Sequence, residues 1–266
     1  MARPAGLEPA TPALGKRCSI QLSYGRSRGE RILPAGAAAY LGRASLTVMA
    51  GEGTFSAMIT QTSETQAQIT PEIARNMLAE GNQRFLERKA QDRDLLKQVE
   101  LTAGGQAPFA VVLSCIDSRV PAEMVFDQGI GDIFSARIAG NFVNDDLLGS
   151  MEFATKLAGS KLVLVLGHSA CGAVKGACDG AELGLLTGML GKLQPAVEAV
   201  AEPADPASRT SANGDFVQAV VEKNVELTVQ AIRDRSEVMR DLEAAGEIAI
   251  CGAVYDVASG KVTFCD

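Results

Sequence analysis

The sequence predicts an α/β fold in which a mostly parallel β-sheet is flanked by helices. Short apolar runs rich in Val, Leu and Ile lack polar alternation, which is typical of strands buried on both faces of a parallel sheet. Segments with helical periodicity separate these runs, as in chains that alternate strands with crossover helices. A chain of 266 residues, 47% of them hydrophobic, is long enough for one sizeable domain of this class.

Residues 1–57 differ in composition from the rest of the chain. They carry seven Lys/Arg and three Asp/Glu, a net charge of +4, whereas the other 18 basic and 29 acidic residues give −11. The segment is rich in Gly, Pro, Ala and Ser and has no sustained hydrophobic period. We therefore expect a disordered extension or a start codon assigned too early, with Met58 as the alternative start. An organellar transit peptide is the alternative interpretation, because the segment is basic and poor in acids.

The predicted elements follow one another within residues 58–266, which we expect to form one folded domain. The first helix begins at Thr70-Pro71, because Thr is a favourable N-cap and Pro suits the first helical position, and it extends to about Arg88. The charged stretch 89–100 is predicted to be a connection. The predicted strands are 109–114, 133–139, 161–167, 248–255 and 261–264. The other predicted helices are 121–126, 144–157, 173–175, 184–200 with a glycine interruption, and 216–245.

Two short motifs, Cys115–Arg119 and His168–Gly172, directly follow two of these strands. Because reactive groups collect at the carboxyl ends of parallel strands, we expect Cys115, Cys171 and the single histidine, His168, to meet at one edge of the sheet. These side chains can bind Zn²⁺ and leave a fourth position open, as catalytic zinc sites do. The alternative is a pair of buried thiols and a hydrogen-bonded histidine. A redox pair is disfavoured, since the two cysteines do not form a C-x-x-C motif.

At these residues the sequence resembles the beta-class carbonic anhydrases, whose signature is C-x-D-S-R followed roughly fifty residues later by H-x-x-C-G. The resemblance runs from about Thr70 to the C-terminus and includes Val120–Glu123 and Gly149–Phe153. Ile116 stands where the family usually has a small residue. Because Ile116 follows a ligand but is not one itself, the difference affects the shape of the pocket more than metal binding. The resemblance implies a zinc lyase that reversibly hydrates CO2 to bicarbonate and a proton. It also implies the family fold, with an N-terminal helical arm across a partner subunit.

The resemblance further implies roles for four residues near the metal. Asp117 and Arg119 match a family pair in which the Asp orients the nucleophile, or takes the fourth position on zinc in a closed state. Gln128 and Gly172 match family residues that contact CO2 or bicarbonate. The alternative interpretations are a surface ion pair for Asp117 and Arg119, a solvated side chain for Gln128, and helix-entry geometry for Gly172.

An inhibitory bicarbonate pocket, known in some family members, is not expected here. Those members have a Trp three residues before the first Cys ligand, whereas this chain has Val112 there and no Trp at all. Arg137 matches an Arg of that pocket, but one matching residue does not make a site.

The composition of the chain limits the kinds of molecule that it binds and the compartment in which it works. A net charge of −7 and the lack of a basic stripe exclude a typical nucleic-acid-binding protein. No apolar run approaches the roughly 18 residues that span a bilayer, so we expect no membrane insertion. Six cysteines without framework spacing favour a reducing compartment, the cytoplasm. The resemblance implies CO2 and bicarbonate as substrates and a homodimer or a tetramer of dimers.

Two other functions stay open at the level of sequence. A relative on the same scaffold could hydrolyse COS or CS2 with the same motif residues and a different pocket entrance. A non-catalytic zinc-binding relative could keep the scaffold for assembly or regulation, although the intact Asp117 and Arg119 disfavour this. Turnover of CO2 against CS2 distinguishes the first alternative, and the absence of CO2 hydration by zinc-loaded protein would support the second.

Overall fold

A computed structural model describes residues 60–265 of the chain. The segment 1–57, for which the sequence predicts disorder, lies outside the described residues. Within the described range, helices alternate with strands that form one mostly parallel sheet, and the predicted α/β class is confirmed. No helix in this part of the chain combines the length and apolarity needed to cross a membrane.

Five strands form the sheet, and each lies within two residues of its predicted bounds. They are β1 (Ala110–Ser114), β2 (Ile133–Arg137), β3 (Leu162–His168), β4 (Ala249–Tyr255) and β5 (Val262–Phe264). Their spatial order is β2-β1-β3-β4-β5, with β5 antiparallel to β4 and all other pairs parallel. Every residue of β1 and β3 is buried, as expected for central strands covered on both faces.

The strand order creates a topological switch point between β1 and β3. The chain passes from β1 to its neighbour β2 on one side, and from β3 to its neighbour β4 on the other. The connections after β1 and β3 therefore leave in opposite directions. A crevice forms at the carboxyl ends of such a strand pair, and this is where open α/β sheets bind ligands. Both sequence motifs lie at this crevice, because Cys115 directly follows β1 and His168 is the last residue of β3.

Ten α-helices cover the sheet and its edges. They are α1 (Ser63–Gln66), α2 (Pro71–Leu86), α3 (Leu95–Thr102), α4 (Ala122–Val125), α5 (Asp145–Glu152), α6 (Gly172–Cys178), α7 (Gly184–Leu190), α8 (Gln194–Ala199), α9 (Gly214–Arg235) and α10 (Glu237–Ala244), all within residues 60–265. A π-helical turn, Phe153–Leu157, continues α5, and a 3₁₀ turn covers Pro206–Ser208. The predicted caps are present: Thr70 accepts from the Ile73 N–H at 3.2 Å, and Asn144 from the Leu147 N–H at 2.9 Å.

Two helix predictions were wrong. The stretch 89–100, predicted as a connection, contains the start of α3, because Asp94 caps it by accepting the Lys97 N–H at 2.9 Å. The single predicted helix 216–245 is divided into α9 and α10 at Ser236. This residue has extended dihedrals, and its side chain accepts the Met239 N–H at 3.1 Å. In both places a side-chain cap sets the helix boundary, and at Ser236 it overrides a continuous hydrophobic periodicity.

An apolar layer packs on each face of the sheet. Adjacent residues of β1 point to opposite faces, so Val112 joins one layer and Val111 the other. The first layer includes Leu78 of α2, and the second includes Val225 of α9. Each fully buried side chain of this size contributes about 2 kcal/mol of hydrophobic stabilisation. The two layers hold β1 and β3, and hence both motifs, in a fixed register.

The helix α2 packs on the domain of its own chain. It buries Ala74 and Leu78 in the first apolar layer, and the Asn82 amide donates to the carbonyls of Val125 at 3.1 Å and Gly260 at 2.9 Å. The buried face of this N-terminal helix is thus used within the chain. Any contact of its other face with a partner subunit stays a prediction.

Candidate metal centre

Three side chains from the two motifs converge at the switch-point crevice. Cys115 directly follows β1, His168 is the last residue of β3, and Cys171 is the N-cap of α6. Their ligand atoms all lie within 4.8 Å of one another. The residues are 4%, 0% and 1% exposed, respectively. The meeting of the two cysteines and the histidine, predicted from the strand ends, is therefore confirmed as geometry.

The turn between His168 and Cys171 depends on a left-handed residue. Ala170 has φ +55°, a conformation that costs a residue with a Cβ about 1 kcal/mol. The Ala170 carbonyl faces Arg119, whose Nη2 lies 3.4 Å away. The turn reverses the chain within three residues, so that Cys171 returns to the side of the crevice that His168 faces.

One ring nitrogen of His168, Nε2, lies near the two thiols without a hydrogen-bond partner among the described residues. The other ring nitrogen, Nδ1, lies 3.0 Å from the carbonyl oxygen of Ser169. Because a carbonyl only accepts, Nδ1 carries the hydrogen in the neutral ring and the lone pair is on Nε2. Nε2 is buried and has no hydrogen-bond partner among the described residues. Such an atom costs about 1–3 kcal/mol when unsatisfied, and a metal ion beside it would remove that cost.

The ligand sulfurs of Cys115 and Cys171 lie within 4.8 Å of each other. The nearby Cys171 thiol lowers the pKa of Cys115, and the same contact raises the pKa of Cys171. The Gly140 N–H also donates to the Cys115 Sγ at 3.4 Å. A divalent cation would favour the ionised form of both cysteines, since thiolates are the form that binds metals. The donor set of two sulfurs and one imidazole therefore fits a metal ion.

Beside the three ligand atoms lies a charged pair. Arg119 donates Nε to Asp117 Oδ1 at 3.0 Å and Nη2 to Oδ2 at 2.7 Å, and its backbone N–H donates to Oδ1 at 2.9 Å. These contacts hold the pKa of Asp117 well below its usual range, chiefly through the Arg119 side chain. Asp117 Oδ2 is only 3.9 Å from His168 Nε2. The carboxylate thus borders the centre while it is paired with Arg119.

Arg137 braces the first motif from the neighbouring strand. It stands opposite Ser114 in the β1–β2 register, and it donates Nε to the Cys115 carbonyl at 2.9 Å and Nη2 to the Asp117 carbonyl at 2.7 Å. From the sequence, Arg137 was considered only as part of an inhibitory pocket, and its contacts with the Cys115 and Asp117 carbonyls were not predicted. Arg137 reaches the first motif because β2 pairs with β1. The sequence alone does not specify this pairing.

The two predicted substrate-binding residues have different surroundings. Gly172 begins α6, and a Cβ built there would meet no atom within 4 Å, so the space beside Cys171 is open. Gln128 is half-buried in the loop after α4, and its amide donates to the Phe126 carbonyl at 2.7 Å. The contact with Phe126 occupies one amide hydrogen of Gln128 within its own loop. Both substrate-binding roles stay predictions.

Fold and site together define an α/β protein with a buried Cys-His-Cys cluster, compatible with a metal ion, at the carboxyl edge of its sheet. A sequence model for the family described as carbonic anhydrase matches residues 110–262. Carbonic anhydrase 2 of Mycobacterium tuberculosis is 36% identical over 199 residues, which cover 74% of this chain and 93% of that protein. The carbonic anhydrase of Mycolicibacterium smegmatis is 36% identical over 194 residues, covering 72% and 92%.

Solved structures show the same fold. The beta-carbonic anhydrase CafA of Aspergillus fumigatus superposes with a TM-score of 0.57 at 27% identity, covering 70% of this chain and 88% of that one. The Coccomyxa beta-carbonic anhydrase, solved with acetazolamide, gives 0.56 at 26% identity, covering 70% and 83%. This chain belongs to the beta class of the carbonic anhydrase family, and it is an enzyme of that family.

Proposed function

We propose that residues 58–266 form a catalytic domain that uses zinc to hydrate CO2 reversibly to bicarbonate and a proton. The observation that carries the proposal is the buried His168 Nε2, unpaired among the described residues and beside two thiols. Two thiolates and one imidazole suit Zn²⁺, and three protein ligands leave a position for a reactant. The relatives named carbonic anhydrase support the same reaction.

Each residue of the centre has a distinct part in this proposal. Cys115, His168 and Cys171 would hold the metal, which when bound supplies a Lewis acid that lowers the pKa of water toward 7. Asp117 accepts a hydrogen bond from the nucleophilic water and turns its lone pair toward the carbon of CO2. Arg119 fixes the carboxylate for this task through its two side-chain hydrogen bonds. If that pair opened, Asp117 would be free to serve as a further ligand of the bound metal, the closed state that the family resemblance implies.

Substrate and proton need their own routes. The open space at Gly172 would let CO2 approach beside Cys171, and the Gly172 backbone N–H could face bicarbonate. Gln128 is proposed as a second contact to the substrate. The released proton must pass to water, buffer or a carboxylate, since the chain has only one histidine and His168 holds the metal.

A homodimer or a tetramer of dimers is proposed for the assembly, because α3 has an apolar side that the described residues leave uncovered. Within α3 the buried residue is the polar Gln98, whereas its large apolar side chains are exposed: Leu95, Leu96, Val99 and Leu101. Apolar clusters of this kind mark protein interfaces. We propose the cytoplasm as the location, because thiols such as Cys178 and Cys251 are free.

A stopped-flow CO2-hydration assay, with zinc quantified in the same sample, tests the proposal. We expect about one zinc per chain and rapid hydration for the wild type. Cys171→Ser should lose most of both, because a hard oxygen replaces a thiolate. The matched control is Cys178→Ser, which changes a half-buried thiol that does not belong to the cluster and should keep both. Zinc-loaded protein without CO2 hydration would contradict the activity, and faster turnover of CS2 would point to the alternative substrate.

A further inference from the structure

A second hydrogen-bond network lies behind the histidine of the metal centre. The hydroxyl of Ser169 donates to Asp256 Oδ1 at 3.0 Å and accepts the Val257 N–H at 3.0 Å. The Ser169 N–H donates to the Tyr255 carbonyl at 2.9 Å. Three contacts thus tie Ser169 to the end of β4 and the turn that follows it. They fix the backbone at the point where β3 gives way to the turn toward Cys171.

The same residue supplies the acceptor for the imidazole. His168 Nδ1 donates to the carbonyl oxygen of Ser169 at 3.0 Å, and Nε2 has no hydrogen-bond partner among the described residues. The direction of this carbonyl therefore sets the rotation of the ring and the aim of Nε2. A histidine that binds a metal usually has its other nitrogen fixed in this way, by a carbonyl or a carboxylate.

Asp256 is well suited to hold Ser169 in place. Its two oxygens also accept the Ala258 N–H at 3.0 Å and the Ser259 hydroxyl at 2.7 Å, so the carboxylate is anchored in the turn. The Ser259 hydroxyl, followed by the Ala258 N–H and the Ser169 hydroxyl, lowers the pKa of Asp256. An ionised and anchored carboxylate is a stronger acceptor than a neutral one.

We propose that Ser169 and Asp256 are positioning residues of the metal centre. Asp256 holds the Ser169 hydroxyl, and Ser169 in turn presents the carbonyl that aims His168 Nε2 at the thiols of Cys115 and Cys171. The inference rests on the proposed zinc site, but it assigns a role to residues that contact neither the metal nor the substrate. Without the hydroxyl, the Ser169 carbonyl and the ring of His168 gain freedom, and the metal is held less well.

Metal retention separates this role from a merely structural one. In the full-length protein, the rate of zinc transfer to a chromophoric chelator is measured for the wild type, Ser169→Ala, Ser169→Thr and Ser259→Ala. We expect zinc loss to be about tenfold faster in Ser169→Ala, because removing an outer partner of a metal-binding histidine costs 10–100-fold in affinity. Ser169→Thr keeps a hydroxyl and should behave like the wild type. Ser259→Ala weakens the anchoring of Asp256 but leaves the Ser169 hydroxyl in place, so its rate of zinc loss should lie between those of the wild type and Ser169→Ala.

Cobalt substitution gives a second measurement, which reports the geometry of the metal ligands and not the stability of the fold. The visible d–d bands of the Co²⁺-loaded protein report the ligand geometry, and we expect them to change in Ser169→Ala and to be restored in Ser169→Thr. Asp256→Ala serves as a second variant and should shift zinc loss and the bands in the same direction as Ser169→Ala. Thermal unfolding of each metal-free protein shows whether a variant has lost its fold.

The outcomes distinguish this inference from the proposed function. Zinc loss from Ser169→Ala within about twofold of the wild type, with unchanged cobalt bands, would overturn the positioning role while the zinc centre stands. Wild-type protein that holds no zinc would overturn both. A wild type that holds zinc without hydrating CO2, together with faster zinc loss in Ser169→Ala, would contradict the activity and support the positioning role.

Discussion

The guanidinium of Arg119 holds the carboxylate of Asp117 through two side-chain hydrogen bonds, at 3.0 and 2.7 Å. The same carboxylate lies 3.9 Å from the bare nitrogen of His168. Asp117 therefore has two possible partners, the guanidinium or a metal ion in the crevice. In this structure the carboxylate is paired with Arg119, so a metal ion held by the three ligands would keep a position open for a reactant.

Replacing Arg119 should separate metal binding from catalysis. Arg119→Ala leaves Cys115, His168 and Cys171 in place, so we expect normal zinc content. Hydration should fall about 100-fold, because the carboxylate is no longer oriented and can occupy the metal itself. Arg119→Lys should recover only part of the rate, since an ammonium cannot form the paired hydrogen bonds. Stopped-flow kinetics with zinc analysis provide the measurement, and near-normal activity of Arg119→Ala would refute the assigned role.

Hydration should accelerate from acid to alkaline pH. Arg119 lowers the pKa of Asp117. The folded carboxylate is therefore fully ionised at every pH above about 4, which is the pKa of an aspartate in the unfolded chain. The stabilisation from this pair is therefore present above that pH and is lost only as acid protonates the folded group. The pH dependence of hydration is therefore set by the ionisation of the nucleophilic water. Its pKa should exceed the value of about 7 seen with three histidines, because two thiolates neutralise the charge of the metal.

The pH experiment has two parts. The profile of kcat/KM reports the ionisation, and X-ray absorption of the zinc at both ends of the profile reports whether Asp117 has joined the metal. An additional carboxylate ligand at acid pH would demonstrate the closed state. A flat rate profile with unchanged coordination would contradict both the ionisation and the closed state.

Removal of residues 1–57 should leave activity and thermal stability unchanged. The segment is rich in Gly, Pro, Ala and Ser and lacks the apolar periodicity that would let it join a core. A protein beginning at Met58 is compared with the full chain by thermal unfolding and CO2 hydration. A large loss of either quantity would show that the segment has a structural role.

A charge placed on α3 should weaken self-association. Leu96 is 79% exposed and belongs to the uncovered apolar side of α3, so Leu96→Glu should shift the protein toward the monomer without unfolding it. Leu157→Glu is the matched control, since it makes the same change at a 70% exposed leucine that belongs to the π-helical turn and not to α3. Sedimentation velocity measures the change. An unaltered oligomer in Leu96→Glu would show that α3 lies outside the interface.

The sequence predicted the strands well because their signals are local. Buried parallel strands such as β1 and β3 are continuous apolar runs, and the position of Cys115 and His168 at their ends then follows from the sheet. The start of α3 was missed because its cap, Asp94, lies among charged residues without clear periodicity. The break at Ser236 was missed because apolar residues continue on both sides of it.

The supporting contacts of the site could not be predicted in the same way. Arg137 reaches Cys115 only because β2 pairs with β1, and Asp256 reaches Ser169 only because β4 pairs with β3. These residues are 22 and 87 positions apart in the chain, respectively. Nothing in the local pattern marks them as partners, because strand order is a property of the whole sheet.

X-ray absorption at the zinc edge of the purified protein tests the central claim most directly. A centre built from Cys115, His168 and Cys171 predicts two sulfur neighbours at about 2.3 Å and nitrogen or oxygen neighbours at about 2.0–2.1 Å. In the Cys115→Ser variant the sulfur count should fall to one, or the zinc should be lost. A zinc shell without sulfur, or one unchanged in Cys115→Ser, would contradict the assignment of the metal centre.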